Sequence, residues 1–209
     1  MGETDARVRK DVTDVPIRDA ATLILVRDPA TAPRILMGQR GTKAAFMADK
    51  FVFPGGAVDD EEDGARAVRL NAPCRARLSE QSDRPPDALA AAALRELYEE
   101  TGQSLDDSGA DLSFFFRAIT PPGRPRRFDA RFFLADAEGL MSDPDRFEPA
   151  DAELSHLQWV PLPEVRNLNL PFITRIVLAE LEAHLPRVDA PDRVAFIRND
   201  DMSRGVIWL

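Results

Sequence analysis

Three glutamates, Glu96, Glu99 and Glu100, fall within the nine residues "LRELYEETG" (94–102), with Arg95 beside them and Gly102 after them. At 100° per residue on a helix they occupy an arc of roughly 100°, so their carboxylates converge. Like charges at this spacing repel by only about 0.2–0.5 kcal/mol per pair, a cost that a solvated helix face tolerates. Convergent oxygens also have a chemistry. They suit a hard divalent cation, Mg²⁺ or Mn²⁺, that keeps several of its waters for substrate phosphates. Upstream, "FPGG" (53–56) is a glycine turn in which a backbone carbonyl can approach a metal closely, because no side chain intervenes.

The elements that must position these groups are legible around them. "DALAAAALRELYEET" (87–101) consists of strong helix formers after two prolines, with Asp87 as the expected N-cap and Gly102 as the expected C-cap. Ala90, Leu94 and Leu97 lie on another face from the glutamates, so this helix can dock while its carboxylates point elsewhere. "AATLILV" (20–26) is apolar enough for a buried strand, "ILMGQRG" after two prolines is its hairpin partner, and "KFVF" runs as a strand into the glycine turn. "LSFFFRAI" and "RRFDARFFLADA" predict two strands around a Pro/Gly/Arg turn, and "LSHLQWVPL" predicts another. "PFITRIVLAELEAHL" (171–185) is an amphipathic helix with Ile173, Ile176, Val177, Leu181 and Leu185 in one stripe, and the tail reads as a closing hairpin. Strands interleaved with two main helices imply an α/β protein, a mixed sheet covered by helices, in a single domain over 18–209 after a polar arm at 1–17.

Composition narrows the function classes. The net charge of -9 argues against a nucleic-acid partner and does not disfavour a divalent metal. Cys74 is the sole cysteine, which excludes an internal disulfide framework and a cysteine-based metal site. No apolar run approaches a membrane span, and the N-terminus is too polar for a signal peptide, so a cytoplasmic protein without a membrane partner is expected. Of the 27 basic residues only Lys10, Lys43 and Lys50 are lysines, so a lone arginine is weak evidence for a site.

"GGAVDDEE" followed by "LRELYEETG" resembles the signature of the Nudix hydrolases: Gly, five residues, Glu, seven residues, then R-E-U-x-E-E-x-G-U, with U a bulky aliphatic. Gly56 and Glu62 fit the first half; Arg95, Glu96, Leu97, Glu99, Glu100 and Gly102 fit the second. Two departures stand out. The final U is Gln103, and about 25 residues more separate Glu62 from Arg95 than the seven of the pattern. Asp87 precedes Arg95 with seven residues between them, so either Asp87 or Glu62 takes the place of the family's first Glu in supporting the box; Asp87 is favoured by its position at the helix start.

The resemblance, which covers roughly 18 to 185, implies an α/β/α sandwich and metal-dependent hydrolysis of a nucleoside diphosphate linked to another moiety. It implies that Glu96, Glu99 and Glu100 bind the metal with the Gly56 carbonyl, while Arg95 holds a carboxylate of the box in place. The general base implied by the segment "DAELSHLQWVPL" is Glu153, with Asp151, Glu148 and Glu96 itself as competitors; His156 is read as a strand residue beside the core. Among the arginines of "TPPGRPRRFDARFF", Arg126, Arg127 and Arg131 are candidates to clamp substrate phosphate, weighed evenly against a basic hairpin tip that includes Arg124.

The insertion inside the box resembles the branch of the family that includes coenzyme A diphosphatases, which makes coenzyme A or acyl-CoA a candidate substrate beside NADH and ADP-ribose. The rival class is a Nudix-fold ligand-binding protein or scaffold without turnover. Residues 63–86 are expected to form a surface excursion beside the site that adds little to the core, and that could serve a homodimer contact.

Overall fold

The structure, a computed structural model, describes residues 15–42, 44, 46–59, 68–106, 111–200 and 204–209. The expected arm (1–17) therefore falls mostly outside the described residues, as do Glu62 and the first part of the insertion.

At the centre runs β1 (Ile17–Arg27), in which Leu23, Ile24, Leu25 and Val26 are all fully buried. A strand with both faces covered must be continuously apolar, which is why this stretch shows no alternation. Successive residues serve opposite cores. Leu23 and Leu25 join the cluster under α2 (Pro86–Thr101), while Ile24 and Val26 join the one under α3 (Phe172–His184). Two helical layers on one sheet make an α/β/α sandwich.

Parallel to β1 lies β6 (Arg127–Asp136), which pairs in turn with β5 (Ser113–Ile119); the hairpin β8 (Ala195–Asn199) and β9 (Arg204–Trp208) completes that side. On the other side, β1 divides its hydrogen bonds. Its C-terminal end pairs with β2 (Arg34–Arg40), and its first half pairs with the short β4 (Gly55–Ala57). Beyond its pairing with β1, β2 pairs with β3 (Phe51–Val52), and β7 (Leu154–Pro161) pairs with β2 along its length, from Arg34 to Arg40.

The glycine turn is thus a strand as well. Ala20, Ala21 and Thr22 oppose Ala57, Gly56 and Gly55, and the ladder is extended by Leu23 N–H to the Pro54 carbonyl (2.9 Å) and Val58 N–H to the Asp19 carbonyl (3.0 Å). A Cβ on Gly55 would lie 2.6 Å from the carbonyl oxygen of Ala21, so only glycine lets β4 press this close to β1.

Two expectations are corrected here. Helix α2 begins at Pro86 with Pro85 as an N-cap that offers no side-chain bond, so Asp87 sits in the first turn rather than at the cap. The insertion is also more than a surface excursion. Its described part carries α1 (Ala72–Ser79), capped by the Asn71 side chain accepting from Cys74 N–H (2.8 Å), and it buries Val68, Leu70, Cys74 and Leu78 in the α2-side core. Four apolar side chains in a polar background escape a composition average. Cys74 and Leu78, four apart, give α1 the narrow stripe it needs.

Candidate active site

Helix α2 holds the three glutamates because its other face is committed. Ala90, Ala93, Leu94, Leu97 and Thr101 are buried against the sheet, which leaves 96 and 100 to face β4 and 95 and 99 at the rim. The end of the helix is built as carefully as its face. Gly102 adopts φ 74° and donates its N–H to the Tyr98 carbonyl, the left-handed stop that glycine permits. Beyond it, Glu148 N–H reaches the Thr101 carbonyl (3.2 Å), and the N–H groups of Ala150 and Asp151 both reach that of Glu99 (2.8 and 3.1 Å). Segment 148–151 thereby satisfies carbonyls that a helix end leaves open and fixes where β7 begins.

Around this helix end the carboxylates take distinct environments. Glu100 is 1% exposed and accepts the Gly55 N–H at 2.8 Å; burial pushes its carboxyl up to about 8, with the neighbouring charges of Glu96 and Glu153 adding to the rise and the Gly55 bond and Arg40 opposing it. Burial pushes Glu96 up to about 7 against the opposing pull of Arg95, which lies 2.9 Å away. Glu99, at the rim, meets the same guanidinium at 2.7 Å. Arg95 also donates to the Ala57 carbonyl (3.0 Å), so one side chain ties two box carboxylates to β4. Gly56 leaves the space that Glu96 fills: a Cβ there would stand 2.5 Å from the Glu96 carboxyl carbon.

As it stands, no three metal-ligating side chains among the described residues form a ready ligand set, since Glu99 lies on Arg95. The donor set nevertheless fits a hard cation. Two desolvated carboxylates, each with its proton affinity raised further by the charge of Glu153, are stabilised by a divalent ion far better than by water.

Glu153 belongs to this group. Its charge acts on both Glu96 and Glu100, and its carboxylate is held by Arg40 Nη2 at 3.0 Å. Its competitors lie differently: Asp151 accepts the Glu153 N–H (3.0 Å), and Glu148 pairs with Arg146 at the surface. His156 is exposed, with φ 52°, where β7 bulges opposite Gly38; it is not beside the core.

Asp87 is removed from the glutamates by nine residues, about 13 Å along the helix at 1.5 Å per residue. It instead receives Arg75 of α1 in a bidentate pair (2.7 and 2.8 Å), so what it supports is the insertion, not the carboxylates. Arg127 and Arg131 are 1% exposed, and a substrate role for them is corrected by what they hold. Arg127 donates to the Thr120 and Asn199 carbonyls; Arg131 bonds Asp19, Asp129 and Ser82 beneath the α1–α2 connection. Arg126 alone of the three is exposed, in the β5–β6 turn.

Arg40 is not among the candidate site residues drawn from the sequence; as the arginine of "ILMGQRG" upstream of "FPGG" it belongs to a partial match to the family's coenzyme A motif, a resemblance that says nothing of a carboxylate partner.

The family model described as NUDIX domain matches residues 84–181. A Caenorhabditis elegans protein named as a nudix hydrolase is 29% identical in an alignment of 176 residues that covers 68% of this chain and 51% of that protein. The chain thus spans about half the length of this curated relative. The crystal structure of a NUDIX hydrolase from Alicyclobacillus acidocaldarius superposes with a TM-score of 0.63 at 27% identity, over 81% of this chain and 93% of that one. The NUDIX domain of Shewanella oneidensis NrtR, solved with ADP ribose, gives 0.54 at 14% identity, over 81% and 88% of the two chains, a likeness of fold. Among the described residues no helix is long and apolar enough to cross a membrane.

Proposed function

We propose, from the premise that this chain carries a Nudix hydrolase domain, that it cleaves the diphosphate linkage of a nucleoside diphosphate derivative with the help of Mg²⁺ or Mn²⁺. Glu96, Glu99 and Glu100 would hold the ion with the Gly56 carbonyl. Bound there, the cation would supply Lewis-acid charge to the diphosphate oxygens and lower the pKa of a coordinated water. The chain's own part is positional. Arg95 holds Glu96 and Glu99 in register with β4, and Glu153 takes the proton of the attacking water from the other side of the cluster. The observation that carries this reading is the pair of buried carboxylates, raised to about 7 and about 8, against the glycine strand.

Within that class the proposed substrate is coenzyme A or an acyl-CoA, on the strength of the insertion inside the signature; NADH and ADP-ribose are the alternatives the same chemistry admits. The partner is then a small diphosphate ester, not nucleic acid, as the net charge of -9 favours, and the compartment is the cytoplasm. Of the candidate arginines, Arg126 is the one with an exposed side chain and is the one proposed to meet a ligand phosphate. The test is kcat/KM for coenzyme A, its 3′-dephospho form, NADH and ADP-ribose, each with Mg²⁺, Mn²⁺ and EDTA. Turnover in EDTA would overturn the metal assignment. A preference for any of the last three ligands would overturn coenzyme A while leaving the reaction class intact.

A further inference from the structure

Arg40 is a cation set within the carboxylate cluster at a position outside the signature. It is the last residue of β2, opposite Leu154 in β7, and its backbone is held twice by the segment before β3: its N–H donates to the Lys50 carbonyl (2.9 Å) and its carbonyl accepts from Asp49 N–H (3.2 Å). From this fixed base its guanidinium meets Glu153 at 3.0 Å, and its charge reaches Glu100. The two partners differ in freedom. The Arg40 side chain is 19% exposed and the Glu153 side chain 58%, so the arginine is the anchored member and the carboxylate the one that would otherwise wander. Exposed ion pairs add little to stability. What this one fixes is location.

We propose that Arg40 is a positioning residue for the hydrolysis: it holds Glu153 toward the Glu96–Glu100 pair, where the attacking water must stand. The inference rests on Glu153 as the base in the reading above. It also gives the β2–β7 pairing a task, because the register that sets Arg40 opposite Leu154 brings the two side chains together. Arg40 Nε is buried and has no hydrogen-bond partner among the described residues, so this nitrogen does not tie the guanidinium to the frame around it.

The test compares Arg40→Ala, Arg40→Lys, Glu153→Gln and the Arg40→Ala/Glu153→Gln double variant on whichever diphosphate the wild-type protein turns over at saturating Mg²⁺. A misplaced base predicts that Arg40→Ala loses about tenfold to a hundredfold in kcat with little change in KM, and that Arg40→Lys recovers part of it. The double variant should be no slower than Glu153→Gln alone, because the two residues act as one unit. Mn²⁺ alone, titrated into the free protein, should bind several-fold tighter to Arg40→Ala, since a positive charge beside Glu100 is gone. A raised KM at constant kcat would make Arg40 a substrate clamp and overturn the proposal. So would losses that multiply in the double variant, or an unchanged Mn²⁺ affinity. If Arg40→Ala turns over normally, this inference alone falls; if the wild-type protein cleaves no diphosphate, the hydrolase reading falls and takes it along.

Discussion

Glu96 and Glu100 share a helix face and a nominal charge with Glu99, yet burial separates them from it. A carboxylate that is costly to ionise in the metal-free fold is one that a divalent ion rewards for ionising. Glu100→Gln should therefore cut turnover by about a hundredfold or more, the several kcal/mol that a metal contributes to the transition state, while the apo protein melts no lower than wild type. Near-normal rates would remove Glu100 from the metal site. The same shifts fix a pH dependence. In the metal-free protein both carboxyls hold their protons above the ordinary value of 4.5, so their contribution to stability is complete below about 4.5 and is lost as pH rises through about 7 and about 8. Thermal melts in EDTA should fall across that window, and the rise in Tm on adding Mg²⁺ should grow across it. A Tm gain from Mg²⁺ that is flat from pH 5 to 8 would contradict the assignment.

The signature works through elements that press unusually close, and glycine decides how close. In Gly56→Ala the new methyl meets the end of a flexible side chain, so the Glu96 carboxylate should yield rather than the backbone. Activity should then drop steeply while the melting temperature barely moves; parallel losses of both would mean that β4 itself had shifted. Helix α1 makes a contrasting case. Its sequence is polar, but Leu78 is 1% exposed in the α2-side core, so Leu78→Ala should cost about 2–5 kcal/mol in a denaturant titration, as buried leucines do. A surface excursion would lose less than 1 kcal/mol. The sequence of the insertion conceals this role because composition averages over a segment, whereas burial depends on a few positions, here 68, 70, 74 and 78, that join the core.

Across the whole molecule, Arg131, a substrate candidate in the sequence, joins layers together with Arg117. Arg117 and Arg131 share Asp129 (2.6 and 3.2 Å); Arg131 also takes Asp19, which Arg84 meets at 3.3 Å, and Arg117 donates to the Glu80 and Gln81 carbonyls at the end of α1. Sheet, insertion and the α1–α2 connection are thereby stitched by one buried charge network. Removing its shared anion leaves two buried guanidinium groups short of a partner, so Asp129→Ala should destabilise by about 3–5 kcal/mol, read as a shift in the urea midpoint. A loss under 1 kcal/mol would show that water already screens the network.

The sequence by itself determined the helix of three glutamates, the glycine strand beside it, the central strand and the kind of chemistry proposed for them. Each of those depends on local features: helix propensity, the three-and-four spacing of Glu96, Glu99 and Glu100, and glycine where only glycine fits. The tertiary structure decided what each remaining charge faces. Arg131 became framework because β6 sets it beneath the α1–α2 connection, Arg127 because the Thr120 and Asn199 carbonyls take its guanidinium, and Asp87 went to Arg75 because α1 packs there. Arg40 entered the site because the β2–β7 register sets it opposite Leu154, more than a hundred residues away in the chain. Pairings at that separation leave no local periodicity to read, since a charge finds its partner only after the sheet has formed.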